Sequence, residues 1–256
     1  MAESTLPVLM YHGLHASDSD PGRYDSVYSV TPVDFGRQLD WLCANGYRSM
    51  RLDNKRSTAG KSVVISFDDG DVSNVAVALP FLRKRGMVAE FFITSDFIGQ
   101  PGMLTAQDVK TLANAGMGIQ SHGRTHRFLE DLDDDAVYAE LRDSKVRLEC
   151  ASGAAVTAIA FPGGRGSGRE REAALALGYR HVLGSVPGRN RARRSHECYE
   201  RIAITRDLPL DDFAALVDWK GWRPRYAQAR FRALRIPKQL LGNERYQRLR
   251  ARLLTR

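Results

Sequence analysis

Short apolar runs alternate with helical patterns along this chain, and this alternation limits the possible folds more than any other feature. A helix between two strands returns the chain to the same end of a sheet, so the strands pair in parallel. Seven such strands suit a distorted (β/α) barrel with helices outside, which is the predicted fold class. The candidate strands, rich in Val, Ile and Phe, are residues 8–12, 63–67, 89–94, 118–121, 157–161, 181–184 and 201–205.

Capping residues predict where the helices begin. Thr31 before Pro32 is typical of a helix start, because threonine caps the first turn and proline fits the first helical position. Pro80 should kink its helix or mark the true start of that helix. Four helices are predicted: between Thr31 and Gly46, over residues 75–86, between Thr105 and Gly116, and over residues 133–149.

Charge divides the chain into two parts. The length of 256 residues and the hydrophobic content of 43% predict one large domain, or one domain with an appendage. The net charge of +8 is concentrated at one end, where residues 219–256 contain twelve basic residues and one acid. Residues 1–218 have a net charge of only −3. We therefore predict a barrel over residues 1–218 and a basic tail over residues 219–256.

The predicted tail has the pattern of a basic amphipathic helix. Leu and Tyr recur at helical spacing in residues 239–254, with arginines between them. Such a helix can lie on an anionic membrane surface, or it can pack its leucines on the barrel and leave its charges in water. Both alternatives stay open, and no nucleic-acid partner is expected because no recognised binding motif is evident.

Cysteine usage and the N-terminal residues favour a cytoplasmic location, at most peripheral to the inner face of the membrane. Cys43, Cys150 and Cys198 are far apart and form no CxxC pair, so reduced thiols are expected. Residues 1–10 lack a basic segment and contain only a short apolar run, unlike a signal peptide or a membrane span.

Two carboxylates follow one candidate strand, and two histidines follow another. Asp68 and Asp69 are adjacent at a strand end, where two like charges raise each other's pKa. A cation bound nearby would reduce the repulsion between the two carboxylates. Asp71 can be explained as a helix cap. His122 and His126 are four residues apart, so their imidazoles share a face of a helical turn. An HxxxH pattern alone is weak, but with a carboxylate it forms a ligand set that leaves positions open for water and substrate.

Three segments together resemble the polysaccharide deacetylase family, also called the NodB-homology or carbohydrate esterase family 4 enzymes. They are Ser66-Phe67-Asp68-Asp69-Gly70, Ser121-His122-Gly123-Arg124-Thr125-His126 and Ala160-Phe161-Pro162-Gly163-Gly164. Further short segments between residues 6 and 218 also resemble segments found in members of this family. The resemblance implies the same barrel and a hydrolase that deacetylates an N-acetylated sugar. It also implies one divalent metal ion, for which zinc is expected and cobalt and nickel are alternatives.

The resemblance assigns a role to each matching residue. Asp69, His122 and His126 are the expected metal ligands. Asp68 is the expected general base, which takes a proton from the attacking water. The backbone N–H of Gly163 is expected to stabilise the oxyanion formed by attack on the amide carbonyl.

The general acid is predicted at an unusual place in the chain. Most members of the family have a histidine on a late strand, in the pattern apolar-x-Leu-x-His, and no histidine follows residue 200 here. Val8-Leu-Met-Tyr-His12 has this pattern at the N-terminus, as in members whose strand order is circularly permuted. His12 is therefore the predicted acid. The alternative is that His12 only shapes the pocket.

The third segment departs from the family pattern at two positions. Arg often stands at the position of Ala160, where it orients the base, and Tyr often stands at the position of Gly163. Arg165 is close enough in sequence to replace the missing arginine. Arg165 is also a candidate substrate contact, together with Pro162 and with Arg124, whose charge suits an anionic group of the substrate.

The remaining histidines, His15, His181 and His196, are not expected to take part. They have no partners at useful spacing, so they are interpreted as surface or strand-edge residues. Arg127, next to His126, is interpreted as part of a solvated loop, although it too could meet an anionic group.

Three functions remain open at this point. The first is metal-dependent deacetylation of a sugar in a cell-envelope glycan or a lipid-linked glycan precursor. The second is hydrolysis of another amide, such as a formamide on a lipid-linked aminosugar or a cyclic ureide. The third is a barrel that binds carbohydrate or membrane without turnover, which only the missing arginine at position 160 supports.

Overall fold

A curled parallel sheet forms the centre of the molecule. The computed structural model describes residues 5–54, 60–191 and 198–233. All seven candidate strands of the sequence are present. The strands are β1 Thr5–Leu6, β2 Val8–Tyr11, β3 Tyr47–Ser49, β4 Lys61–Phe67, β5 Glu90–Ile93, β6 Gly118–Ser121, β7 Ala158–Ala160, β8 His181–Leu183, β9 Asn190–Arg191 and β10 Ile202–Ala203.

The order of the strands confirms the predicted barrel. Seven strands pair in parallel in the order β10-β2-β4-β5-β6-β7-β8. A parallel bridge between Leu183 and Tyr199 brings the edge at β8 against the chain that leads into β10. β3 extends the sheet beside the start of β4, and β1 pairs with β9 in a separate two-stranded sheet. The result is a distorted (β/α) barrel.

Helices pack against the outside of this sheet. The four predicted helices are present, and α5 and α6 were not predicted. Residues 223–233 are also helical. The named helices are α1 Pro32–Ala44, α2 Leu79–Lys84, α3 Ala106–Asn114, α4 Asp134–Ser152, α5 Gly168–Ala176 and α6 Leu210–Asp218.

The helix starts follow from their capping residues. The Thr31 hydroxyl accepts a hydrogen bond from the N–H of Asp34 at 3.0 Å, and Thr105 and Asp108 form a reciprocal capping box. Pro80 lies in the first turn of α2, where its missing N–H costs no hydrogen bond. A π-helical turn over Asn74–Ala78 precedes it, so Pro80 marks the start of the α-helix.

Successive side chains of β4 point into two different cores, and this alternation also sets the direction of the first site residue. Val63, Ile65 and Phe67 point into the large core between sheet and helices. Val64 points into the smaller core inside the barrel, with Phe92 of β5. Because successive side chains point to opposite faces of a strand, the residue after Phe67 is directed inward, at the carboxyl end of the barrel.

The interpretation as surface or strand-edge residues was wrong for His15, which is buried, whereas His181 is half-buried at the start of the edge strand β8, in agreement with it. His15 is fully buried, with Nδ1 2.9 Å from the Ser29 hydroxyl and Nε2 3.3 Å from the Asp71 carboxylate. His181 lies with Nε2 3.2 Å from Asp53 Oδ1. These partners are distant in sequence and only the fold brings them together. His196 lies outside the described residues.

Asp71 does more than cap a helix. Its carboxylate accepts hydrogen bonds from the Ser73 N–H at 2.8 Å and from the Arg23 N–H at 2.6 Å. Together with His15, these bonds fasten the long connection between β2 and α1 to the carboxyl end of β4. That connection forms one wall of the site described below.

The three cysteines are unpaired, as expected. In the part of the chain that the structure describes, no helix combines the length and the apolar character needed to cross a membrane. The predicted helix over residues 239–254 lies outside the described residues. The predicted domain boundary at residue 218 coincides with the end of α6 and stays a prediction.

A buried carboxylate inside the barrel makes Gly118 sensitive to substitution. Glu90 is fully buried and accepts hydrogen bonds from the Leu52 N–H at 2.7 Å and the Gln120 side chain at 3.0 Å. A Cβ atom at Gly118 would overlap the Glu90 carboxylate. The absence of a side chain at residue 118 is therefore required by close packing.

We expect Gly118→Ala to lower the free energy of unfolding by about 1–3 kcal/mol, because the methyl group must displace Glu90 from its hydrogen bonds. Urea denaturation measures this change. Gly168→Ala is the matched control, because a Cβ there meets no atom within 4 Å, and it should leave stability unchanged or raise it by up to about 1 kcal/mol. Equal stabilities of the two variants would contradict the packing argument.

Candidate active site

The predicted site residues meet at the carboxyl ends of neighbouring strands. Asp68 and Asp69 follow β4, and His12 follows β2, which pairs with β4 in register. His122 follows β6, and the segment that begins at Pro162 follows β7. In a parallel barrel these ends form one rim, where active sites are built.

Asp69, His122 and His126 form a compact cluster. Their ligand atoms lie within 4.8 Å of one another. The Asp69 Oδ1 atom is 3.4 Å from His122 Nε2 and 3.2 Å from His126 Nε2. The same Oδ1 atom is buried and has no hydrogen-bond partner of acceptable geometry among the described residues. A buried, unsatisfied carboxylate oxygen facing two imidazole nitrogens is the donor set expected for a divalent cation.

The two imidazoles are prepared for this role in different ways. His122 Nδ1 is 2.8 Å from the carbonyl oxygen of Ala160, so an Nδ1–H donor leaves the Nε2 lone pair directed at Asp69. Burial lowers the pKa of His122 to about 4, so this imidazole is neutral at neutral pH. For His126, burial disfavours the charged form, but the 3.2 Å contact with the Asp69 carboxylate and the negative charge of that group outweigh burial and raise the pKa.

The Asp69 carboxylate is correspondingly acidic. Burial would raise its pKa, but the close approach of His126 and the charges of the nearby histidines hold that pKa well below its usual range. Asp69 is therefore ionised at neutral pH and needs a positive neighbour. A metal ion can take the place of the shared proton, because metal ligands bind in their deprotonated forms.

Two of the proposed ligands have strained backbones. Asp69 has a backbone φ of 73° and His126 has a backbone φ of 65°. Residues other than glycine rarely adopt such values. Only Trp219 shares this property among the other non-glycine residues that the structure describes. Strain of this kind costs about 1–3 kcal/mol and is typical of functional sites. Here it turns both side chains toward the cluster.

Asp68 has a separate partner that sequence reasoning missed. Arg201 donates to both carboxylate oxygens of Asp68, at 2.7 and 2.8 Å, and both residues are nearly fully buried. Burial would raise the pKa of Asp68, but the charge and hydrogen bonds of Arg201 outweigh it and keep that pKa below its usual range. Asp68 is therefore ionised at neutral pH.

Arg201 reaches Asp68 through the barrel interior. Its Nε donates to the carbonyl oxygen of Gly184 at 2.6 Å, and its guanidinium carbon lies 5.8 Å from the centre of the Phe92 ring. The signal available in the sequence was a charged residue directly before the apolar residues of the last strand. That charge needs a buried partner, but the sequence does not say which one.

The suggestion that Arg165 replaces the missing arginine at position 160 was wrong, because Arg201 fills this role from another strand. The Arg165 guanidinium lies 4.6 Å from the centre of the Phe128 ring. Phe128 also explains the missing tyrosine, because a Cβ at position 163 would lie only 2.5 Å from that ring. Gly163 itself has φ of 63°, and its N–H donates to no acceptor among the described residues.

His12 lies beside Asp68 at the rim. The Asp68 N–H donates to the carbonyl oxygen of Tyr11 at 2.9 Å, which fixes the two strand ends side by side. The Tyr28 ring lies 4.7 Å from the His12 ring, centre to centre, and covers one of its faces. His12 Nδ1 is buried and has no hydrogen-bond partner in the described chain. Tyr28 had no signal in the sequence, since its loop was not assigned.

The other candidate substrate contacts lie as follows. Arg124 is bonded to Asp96 and Asp143, each at 3.2 Å, so its charge is largely balanced within the protein. Pro162 is buried beside Gly123. Substrate contact by Arg124, Pro162 or Arg165 stays a prediction.

Comparison with known proteins identifies the family. The family profile described as polysaccharide deacetylase matches residues 55–182, which is half of the chain. This chain belongs to the polysaccharide deacetylase family. The predictions of that family, of a hydrolase and of a distorted barrel are thereby confirmed. Deacetylases of this family are metal-dependent, which agrees with the cluster of Asp69, His122 and His126.

The similarity of this deacetylase to individual relatives extends beyond residues 55–182. The Bacillus subtilis (strain 168) protein named "Putative polysaccharide deacetylase YxkH" is 29% identical over 220 residues, which is 83% of this chain and 76% of that protein. The Streptococcus pyogenes deacetylase PplD, solved in complex with acetate, has a TM-score of 0.75 and 25% identity, over 84% of this chain and 99% of that one. BC0361, a polysaccharide deacetylase from Bacillus cereus, has the same fold, with a TM-score of 0.76 and 24% identity. The match covers 84% of this chain and 69% of BC0361.

Arg201→Lys keeps the positive charge but loses the two parallel hydrogen bonds to Asp68. We expect kcat to fall roughly 10- to 100-fold, with KM and metal content unchanged, because Asp68 loses its fixed orientation. Steady-state kinetics and metal analysis measure these effects. Arg169→Lys is the control, because that arginine is bonded to Glu170 and Asp134 and not to Asp68. Full activity of the Arg201→Lys variant would show that Arg201 does not position the base.

Proposed function

We propose that this deacetylase releases acetate from an N-acetylated sugar of a glycan or glycan precursor in a reaction that depends on one divalent metal ion. The observation that carries the proposal is the cluster of Asp69, His122 and His126 beside an ionised Asp68. The acetate bound in the related PplD structure is consistent with this product.

Asp69, His122 and His126 are the residues that would hold the ion. When bound, a divalent ion supplies Lewis acidity, which lowers the pKa of a coordinated water and polarises a carbonyl oxygen. Their two imidazoles and one carboxylate suit zinc, cobalt or nickel, and zinc is the ion we expect from availability. The unsatisfied Asp69 oxygen supports the fit.

Asp68 is the proposed general base. It is ionised, it lies with Oδ2 4.0 Å from His122 Nε2, and Arg201 holds it in one orientation. A carboxylate in this position can accept a proton from the attacking water as the new C–O bond forms. Arg201 keeps its charge throughout, so the proton moves to Asp68 alone.

His12 is the proposed general acid, at the end of β2 beside Asp68. Cleavage of an amide C–N bond requires a proton on the departing nitrogen, because an amine anion is a very poor leaving group. Tyr28 covers one face of the imidazole and restricts its orientation. The N–H of Gly163 is the proposed donor to the developing oxyanion, which its free hydrogen-bonding capacity supports.

The alternatives to this function differ in their support. The non-catalytic barrel depended on the missing arginine at position 160, and Arg201 removes that argument. A formamide or another non-peptide amide remains a chemical alternative at the same residues. Measuring formate against acetate release from formylated and acetylated forms of one aminosugar distinguishes the two.

Asp69→Ala and His122→Ala should each abolish acetate release and reduce zinc affinity by a large factor, because each removes a ligand. Asp68→Asn should retain one equivalent of zinc but lose activity, because the amide cannot accept the proton. Acetate release and metal analysis on the same preparations test this. Undiminished turnover by metal-free enzyme, or by Asp69→Ala, would refute the proposal.

His12→Gln should lower kcat for N-acetylated sugars by about 10²–10⁴-fold, because the leaving amine loses its proton donor. The same variant should hydrolyse an activated aryl acetate at nearly the wild-type rate, since a phenolate leaves without protonation. Comparing the two substrates separates acid catalysis from pocket shape. Equal losses on both substrates would assign His12 to the pocket alone.

A further inference from the structure

The chain continues past the last barrel helix into a second helix that is fixed to the body. Trp219 ends α6 in a left-handed conformation, and residues 223–233 form the next helix. Pro224 of this helix is buried, and Arg223 is bonded to Asp212 of α6. The Gln228 side chain donates to the carbonyl oxygen of Pro187 at 3.1 Å. One stripe of the helix is therefore packed, and its orientation is set.

The opposite face of this helix is aromatic and basic. Trp222 and Tyr226 are 62% and 52% exposed, and their ring centres are 5.6 Å apart. Arg225, Arg230 and Arg232 on the same helix are exposed. Among the ion pairs in the described chain, none uses these three arginines, whereas Arg223 is neutralised by Asp212. We call residues 222, 225, 226, 230 and 232 the aromatic–basic face.

We propose that the aromatic–basic face docks this enzyme on an anionic lipid bilayer. Tryptophan and tyrosine favour the boundary between headgroups and acyl chains, where the ring body is apolar and its polar group stays hydrated. Arginine side chains next to them are attracted to anionic headgroups. The rest of the tail adds to this attraction, because residues 219–256 contain twelve basic residues and one acid.

Vesicle co-sedimentation of the full chain tests the docking surface. We expect binding to vesicles of phosphatidylcholine with about one third phosphatidylglycerol, weak binding to pure phosphatidylcholine, and release by high salt. The Trp222→Ser/Tyr226→Ser double variant and the Arg225→Glu/Arg230→Glu double variant should each weaken binding about fivefold or more. Tyr138→Ser is the matched control, because Tyr138 is 45% exposed on α4 and, like Trp222, has an arginine over its ring.

Thermal melting and acetate release from a soluble substrate should be unchanged in all three variants, which shows that they fold. Wild-type binding of the double variants to the anionic vesicles would overturn the proposal, because residues 234–256 would then suffice. Failure of the wild-type chain to bind those vesicles would also overturn it. Tighter binding of the wild-type chain to RNA than to the vesicles would do the same. None of these outcomes affects the proposed deacetylation, which is measured separately.

Discussion

Two consecutive carboxylates, Asp68 and Asp69, must both stay ionised at the rim of the barrel. Like charges this close raise each other's pKa, so each needs its own positive partner. Arg201 supplies that partner for Asp68 from inside the barrel, and both side chains are nearly fully buried. Asp69 faces two histidines instead. Its Oδ1 atom has no hydrogen-bond partner among the described residues, so its negative charge is available to bind a cation.

This separation of partners suits the different roles proposed for these neighbouring residues. Asp68 is paired with a permanent charge, because a guanidinium keeps its proton, and this suits the proposed general base. Asp69 has a partner whose proton can be replaced, which suits a metal ligand. A buried ion pair of this kind is weak evidence for stability, but removing one member is costly, about 3–5 kcal/mol.

Much of the rim could be predicted from the sequence because the residues that form it follow strands directly. Asp68, Asp69, His122 and His12 are each within one or two residues of a strand that the Val, Ile and Phe pattern identified. Parallel pairing then places them on one edge without knowledge of the loops. Family resemblance added their roles, and the family match supports the same class of enzyme.

The contacts that the sequence could not predict join segments far apart in the chain. Arg201 is 133 residues from Asp68, whereas proximity in sequence favours an arginine near Ala160. His15 and Asp71 pair across a loop whose path depends on tertiary packing, and Tyr28 reaches His12 from the same loop. Helix α5 was missed although Ser167 and Glu170 form its capping box, because its short pattern has little apolar periodicity.

X-ray absorption spectroscopy of the zinc-loaded enzyme tests the central claim most directly, because it reports the atoms bound to the ion. The account predicts one ion with two imidazole nitrogens at about 2.0–2.1 Å, together with oxygen ligands from a carboxylate and solvent, and no sulfur. The imidazole signal should fall to one nitrogen in His126→Ala. A sulfur shell, or an imidazole signal that persists unchanged in that variant, would contradict a site built from Asp69, His122 and His126.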